Sequence, residues 1–341
     1  MDINQRHKMI IDAIVQMYID NGEPIASQAL QDALDIQVSS ATLRNEMARL
    51  TKLGYLNQPH VSAGRIPTNK AYRYYVDNLD RKREISPAAK EKIKEAFDSL
   101  DADSARFLPE ATKVLSDFLG YPAVVVPPKD DELQFAHFQL LKTGRYTVVL
   151  VGTTTRGEVQ TRVIRLKGDI ENTELLQLNQ ILNMRLCFTC IDDLNLRYFT
   201  RLEKQLAAEN PAYSQVLKGC INMIKSANHK PVYVSGEEKL FRTDHFKNNI
   251  SDVLSLLRDT EMLKKVVEPK YDGVSVVFGD ELPVKNLENT CFISTKYYRG
   301  SAVSGAISVI CPQTVQYDDL FLKIAYFAQL LTQTITGTER K

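Results

Sequence analysis

A chain of 341 residues, 44% hydrophobic and 25% charged, is long enough for two or three domains and apolar enough to give each a core. Its formal charge is only +1, so any capacity to bind phosphates has to come from a local focus of positive charge. No apolar run approaches the ~20 residues that cross a bilayer. The N-terminus carries charges within its apolar pattern and no cleavage site, unlike a signal peptide. Five cysteines, an odd number in a long chain, point to reduced thiols and a cytoplasmic setting.

Taken in chain order, Ile10, Ile11, Ile14, Val15, Tyr18 and Ile19 recur at helical spacing, and Asn21-Gly22 is a stop signal. Ser27 is placed to cap a short second helix reaching Leu34. Ser39 or Ser40 is placed to cap a third. In that third helix Leu43, Met47, Leu50 and Leu53 form one apolar stripe, and Gly54 ends it. The opposite face carries Ala41, Arg44, Asn45, Ala48, Arg49 and Lys52, small residues beside Arg and Asn, as a helix entering a groove requires. Tyr55-Leu56 starts a short strand. Gln58 to Thr68, with Pro59, Gly64 and Pro67, reads as a shaped loop between extended arms, with Arg65 at its tip. Lys70, Tyr72, Arg73, Tyr74 and Tyr75 follow on a further helix.

This succession predicts a winged helix-turn-helix, and charge agrees with it. Residues 39–76 hold Arg44, Arg49, Lys52, Arg65, Lys70 and Arg73 against Glu46 alone, a local +5, whereas the preceding 38 residues sum to −4. Candidate DNA contacts are Ser39, Ser40, Thr42, Arg44, Asn45 and Arg49 on the third helix, His60 and Arg65 in the wing, and Lys70 and Arg73 after it. Bidentate Arg–guanine and Asn–adenine pairs are each worth about 1–3 kcal/mol of base discrimination. The bland alternatives are a solvated helix face, serines that only cap, a Gly64 that supplies only a positive-φ turn, and Lys70 or Arg73 packed on the next domain.

The charged run 80–87, ending in Pro87, is the best boundary in the chain. Beyond it, 88–119 reads as helix. Strand-like runs at 123–127, 134–141, 146–152 and 158–166 precede a helical block from Glu171 to about Asn228, with one possible strand at 187–191. A strand at 232–234 and more helix to Val267 come next. Strands return at 273–279, 290–298 and 302–310 before a closing helix at 317–335. Strands, a helical block, then strands again suggest one antiparallel sheet domain carrying an insertion. Cys187 and Cys190 form a lone CxxC with only Cys220 and His229 loosely placed, too little for zinc. No phosphate-loop, nucleophile-elbow or paired acid/base signature is present, so no catalytic residue, metal or cofactor is assigned.

The segments GEPIASQAL (22–30) and SSATLRNEMARLTKLGYLNQPHVSAGRIPTNKAYRYYVD (39–77), with the looser NTCFISTKYYRGSAVSGAISVICP (289–312), make the chain resemble the heat-inducible transcription repressor HrcA family over essentially its whole length. The resemblance implies an α+β multidomain protein: a winged helix (1–86), a discontinuous GAF-like α/β domain with an antiparallel sheet (87–170 and 250–341), and an inserted dimerising domain (171–249). It also implies a non-enzymatic homodimer that binds double-stranded DNA at an inverted-repeat operator before chaperone operons, with activity tuned by a GroEL-type chaperonin and relieved on heat stress. The chain departs from the family pattern at Gly279-Asp280-Glu281-Leu282, where Gly-x-Glu-Asn is common. It departs again at 311–315, where Gly-Pro-Thr-Arg-Met is common. A ligand-gated regulator and an enzyme built on 120–340 are the competing readings.

Overall fold

The computed structural model describes residues 3–34, 38–79, 84–102, 106–127, 134–155, 157–189, 194, 196–228, 231–242, 244–247, 249–269, 271–299 and 302–337. Residues 80–83 of the expected boundary run, Cys190 and His229 lie outside them. The chain divides into two units, Met1–Pro127 with Val232–Lys341, and Pro128–Pro231.

The first unit begins with helices α1 (Gln5–Asn21), α2 (Ser27–Ala33) and α3 (Ser40–Lys52), strands β1 (Leu56–Asn57) and β2 (Ile66–Pro67), and helix α4 (Asn69–Asp77). α1 starts on Asn4, whose side chain accepts the His7 backbone N–H at 2.8 Å. It ends where Gly22, at φ +70°, turns its N–H onto the Tyr18 carbonyl. Ile10, Ile11, Ile14 and Val15 of α1 meet Leu43, Met47 and Leu50 of α3 in one core, as the two stripes predict.

Helices α5 (Pro87–Asp98) and α6 (Phe107–Leu119) stand where one helix was expected. Strands β3 (Ala123–Val126), β7 (Tyr233–Ser235), β8 (Ser275–Phe278), β9 (Thr290–Arg299) and β10 (Ala302–Pro312) form an antiparallel sheet in the order β7-β3-β10-β9-β8. Helices α10 (Ile250–Arg258) and α11 (Thr260–Val267) cover one face, joining Val124, Phe292 and Ile310 in a core. The other face, with Val125, Cys291, Ile293, Ile307 and Val309, packs on α5, α6 and α12 (Tyr317–Thr336). That core continues without a break into the winged helix. Tyr75 meets Tyr317 at 6.3 Å between ring centres, and Tyr72 meets Phe278 at 6.4 Å.

The second unit has its own sheet, β4 (Phe135–Gly144), β5 (Thr147–Thr154) and β6 (Val159–Arg165), and helices α7 (Asn172–Leu186), α8 (Leu196–Glu209) and α9 (Pro211–Asn228). The expected insertion at 171–249 is therefore corrected. Among the described residues the strands at 135–165 pair only with one another, and they bury their inner face on α7 and α9, while β7 belongs to the five-stranded sheet. Asn183 both donates to and accepts from the backbone of Phe138, and Asn179 accepts the Leu140 N–H, so α7 seals the free edge of β4. α7 ends at Leu186 with Cys187 as its cap, where a strand was expected.

Phe327 is buried on α12, edge-on to Phe97 of α5 at 5.2 Å. Phe327→Ala should cost about 3–5 kcal/mol. Because the core is continuous, calorimetry should show the winged helix and the five-stranded domain melting together at a lowered temperature.

Candidate nucleic-acid interface

The third helix is positioned by local chemistry at both ends. Ser39 is its N-cap: Oγ accepts the Thr42 N–H at 3.2 Å and lies 2.9 Å from Thr42 Oγ1. Ser40 Oγ lies 3.0 Å from Ser27 Oγ, tying the start of α3 to α2. The hydroxyls of Ser39, Ser40 and Thr42 are thus already engaged. At the far end Gly54 adopts φ +79° and the Tyr55 N–H reaches back to the Leu50 carbonyl.

Arg44, Asn45, Arg49 and Lys52 are exposed on the face away from the stripe. Glu46, the one acidic residue of α3, is drawn off that face. Its carboxylate lies 2.8 Å from Nε2 of the buried His7 and 3.7 Å from Arg6. His7 Nδ1 accepts the Asn4 N–H at 3.3 Å, so the ring N–H is on Nε2 and donates to Glu46. The charged groups left on the outward face of the helix are the cations Arg44, Arg49 and Lys52.

The wing is built as a rigid turn. β1 and β2 pair antiparallel, and Ile25 adds a third rung: its N–H donates to the Arg65 carbonyl and the Arg65 N–H to its carbonyl, both at 2.8 Å. Gly64 is needed for this approach, since a Cβ there would lie 2.4 Å from the Ile25 carbonyl carbon and oxygen. It carries no positive φ, so close backbone contact, not turn handedness, explains the glycine. At the tip, Gln58 Nε2 donates to the carbonyls of Val61 (2.8 Å) and Ala63 (3.1 Å). His60 is exposed, and Val61 is 97% exposed. Composition gave no reason to single out Val61; its place in the middle of the Pro59–Gly64 turn was the only signal.

Three of the basic candidates have partners within the chain. Arg65 is at the base of the wing, not its tip, and its Nε donates to Thr51 Oγ1 of α3 at 3.1 Å. Lys70 donates to the Leu53 carbonyl at 3.0 Å and lies 4.3 Å over the Tyr55 ring, neutralising the C-terminus of α3. Arg73 is turned away from α3 onto Glu281 and Phe278 of the five-stranded domain. Tyr72 is buried in the core.

Cys187 is half-buried and donates to Asn183 Oδ1, Cys220 is buried, and burial pushes both thiols up. Among the described residues no group of His, Cys, Asp or Glu could hold a metal, and no helix is long and apolar enough to cross a membrane.

A capped helix with a cationic outer face, paired with a second helix and followed by a stapled wing, defines a winged-helix DNA-binding protein. Residues 2–80 match the family described as "Winged helix-turn-helix transcription repressor, HrcA DNA-binding", and residues 105–320 match "HrcA protein C terminal domain". Relatives named heat-inducible transcription repressor HrcA include one from Carboxydothermus hydrogenoformans, 30% identical over 98% of this chain and 98% of its own length. Another, from Brevibacillus brevis, is 29% identical over 99% of this chain and all of its own. A crystal structure titled as that of a hypothetical protein is similar in fold, with TM-score 0.59 at 23% identity over 99% of this chain and 100% of that one. The chain belongs to the HrcA family of transcription repressors, a non-enzymatic class.

Gly64→Ala should cost about 1–3 kcal/mol by overpacking against Ile25. Chemical denaturation checks this. Ser39→Ala, which removes the cap, should cost about 1 kcal/mol.

Proposed function

We propose that this protein is a cytoplasmic, homodimeric repressor that occupies an inverted-repeat operator before chaperone operons and so blocks transcription. The observation that carries this reading is the outward face of α3. Arg44, Asn45, Arg49 and Lys52 project together, and Glu46, the acidic residue of α3, is taken up by His7. Arg44, Asn45 and Arg49 are the base-edge readers. The wing residues His60 and Val61 flank them against the adjoining groove, while Ser39, Ser40 and Thr42 hold the start of α3 and Lys70 its end. Arg65 and Arg73 act indirectly, one bracing the wing and the other the head.

A second copy is the natural occupant of the open face of the three-stranded sheet. There Leu141 (48% exposed), Val149 and Val163 (66% exposed) lie in one cross-strand row, with Val151 and Val159 (63% exposed) beside them. In the second unit α7 and α9 pack on the opposite face. Apolar rows of this kind mark association surfaces, and a twofold axis makes one patch its own complement. The family relationship and the near-zero net charge support a further partner, a GroEL-type chaperonin that keeps the repressor in its DNA-binding form and is diverted under heat stress.

The direct test is binding to a labelled duplex from the chain's own chaperone promoter against a scrambled duplex, at fixed salt, with and without chaperonin. Selective binding as a dimer, increased by chaperonin, is the expected result; equal, weak, salt-sensitive binding to both duplexes would reject the reading. Arg44→Ala should lose about 1–3 kcal/mol of discrimination at one base pair. Arg49→Ala or Lys52→Ala should each lower the salt slope by about one. Val163→Asp should give a folded monomer in light scattering, with operator affinity reduced at least tenfold.

A further inference from the structure

We propose that the Arg73–Glu281 pair is a positioning contact that holds the recognition helix to the five-stranded domain and thereby sets which half-site separation the dimer accepts. The inference rests on the operator-binding reading above.

Arg73 lies on α4. Its guanidinium makes a two-pronged contact with Glu281, Nε donating to Oε1 at 2.9 Å and a terminal nitrogen to Oε2, while its carbon lies 4.6 Å from the centre of the Phe278 ring. Asp77, one turn further along α4, stands 3.7 Å from the guanidinium. Glu281 is itself anchored, since Oε2 also accepts the backbone N–H of Phe278, the last residue of β8, at 3.0 Å. Both side chains are only about one-third exposed, at 31% and 37%. A planar fork on a fixed carboxylate, stacked on a ring, resists rotation in a way that a point charge does not.

The other end of α4 is joined to the recognition helix. Thr68, its N-terminal flank, donates to the carbonyls of Gly54 and Tyr55, and Lys70 donates to Leu53. α4 is therefore a bar with the end of α3 at one side and the β8 end of the sheet at the other. Rotation of the winged helix about that bar would move the two recognition helices of a dimer relative to one another. Half-sites for such dimers recur about one helical turn, roughly 34 Å, apart. A held head selects one separation, whereas a loosened head accepts several and must lose freedom on each. No residue on the outward face of α3 takes part, so the pair governs geometry and leaves base contacts alone.

The test uses the full chain, with duplexes carrying the inverted half-sites at stepwise separations and one duplex with a single half-site. Glu281→Gln and Arg73→Gln should each lose about tenfold at the separation that the unaltered protein prefers, a coupling typical between linked sites. They should bind adjacent separations nearly as well and keep single-half-site affinity. Glu281→Asp, which retains the charge with a shorter reach, should fall between, and it serves if Glu281→Gln fails to fold. Two results would overturn the proposal: separation profiles unchanged in both variants, or Arg73→Gln weakened on every duplex including the single half-site while Glu281→Gln is not. The latter would mark Arg73 as a phosphate ligand. An unaltered protein that treats operator and scrambled duplexes alike would instead remove the repressor reading itself.

Discussion

The pairing of β9 with β10 is the constraint on which the first unit depends. These strands, of 10 and 11 residues, run antiparallel through the middle of the sheet, and both faces are buried. Odd-numbered side chains such as Cys291, Ile293, Ile307 and Val309 enter one core, and Phe292 and Ile310 the other. A one-residue slip would exchange the two sets and offer α12 the wrong surface. A register bulge at Val303/Gly305 falls at the end of the hairpin, where Gly305 lets Tyr297 reach the Val126 carbonyl. Everything laid on the odd-numbered face, α12 and through it the winged helix, inherits its placement from that register.

Above this platform the head sorts its charges by where each is consumed. Glu46 is spent on His7 and Arg6, Arg65 on Thr51, Lys70 on the end of α3 and Arg73 on Glu281. What remains free to meet phosphate is a compact set on α3, smaller than the formal +5 of 39–76 but with the one acid of that helix, Glu46, drawn off. The wing contributes shape more than charge: a stapled turn with His60 and Val61 at its end.

Legibility in the sequence followed locality. The α1 stripe and its Gly22 stop, the Ser39 cap and the apolar face of α3 were readable because each depends on residues within a few positions. The wing was readable because Pro and Gly bracket it. The closing helix was readable from Leu320, Ile324, Phe327 and Leu331. Partition of the strands was not: the 134–166 runs alternate as well as the 290–310 runs do, and only long-range pairing assigns them to separate sheets. The sequence left Arg73 open between phosphate and the next domain for the same reason, its partner Glu281 lying 208 residues away. Gly64 was recognised as special but for another cause, because the backbone it approaches belongs to a segment before α2. The break of 88–119 into two helices is marked in the sequence by little more than polar residues near 98–104.

The unbroken core beneath α1, α4, α12 and β8 bears on how such a protein can evolve. Many regulators behave as cassettes, in which a DNA-reading head is exchanged by recombination while the sensor is kept. Here the inner faces of Tyr72, Tyr75, Phe278 and Tyr317 are mutual boundaries, and Gln16, Asp20 and Gln316 form hydrogen bonds across the same seam. A head from another source would arrive with the wrong relief. Change at this seam must therefore accumulate as matched pairs of substitutions. Inheritance of the DNA-reading and body segments is tied together, and new base preferences are left to the outward face of α3.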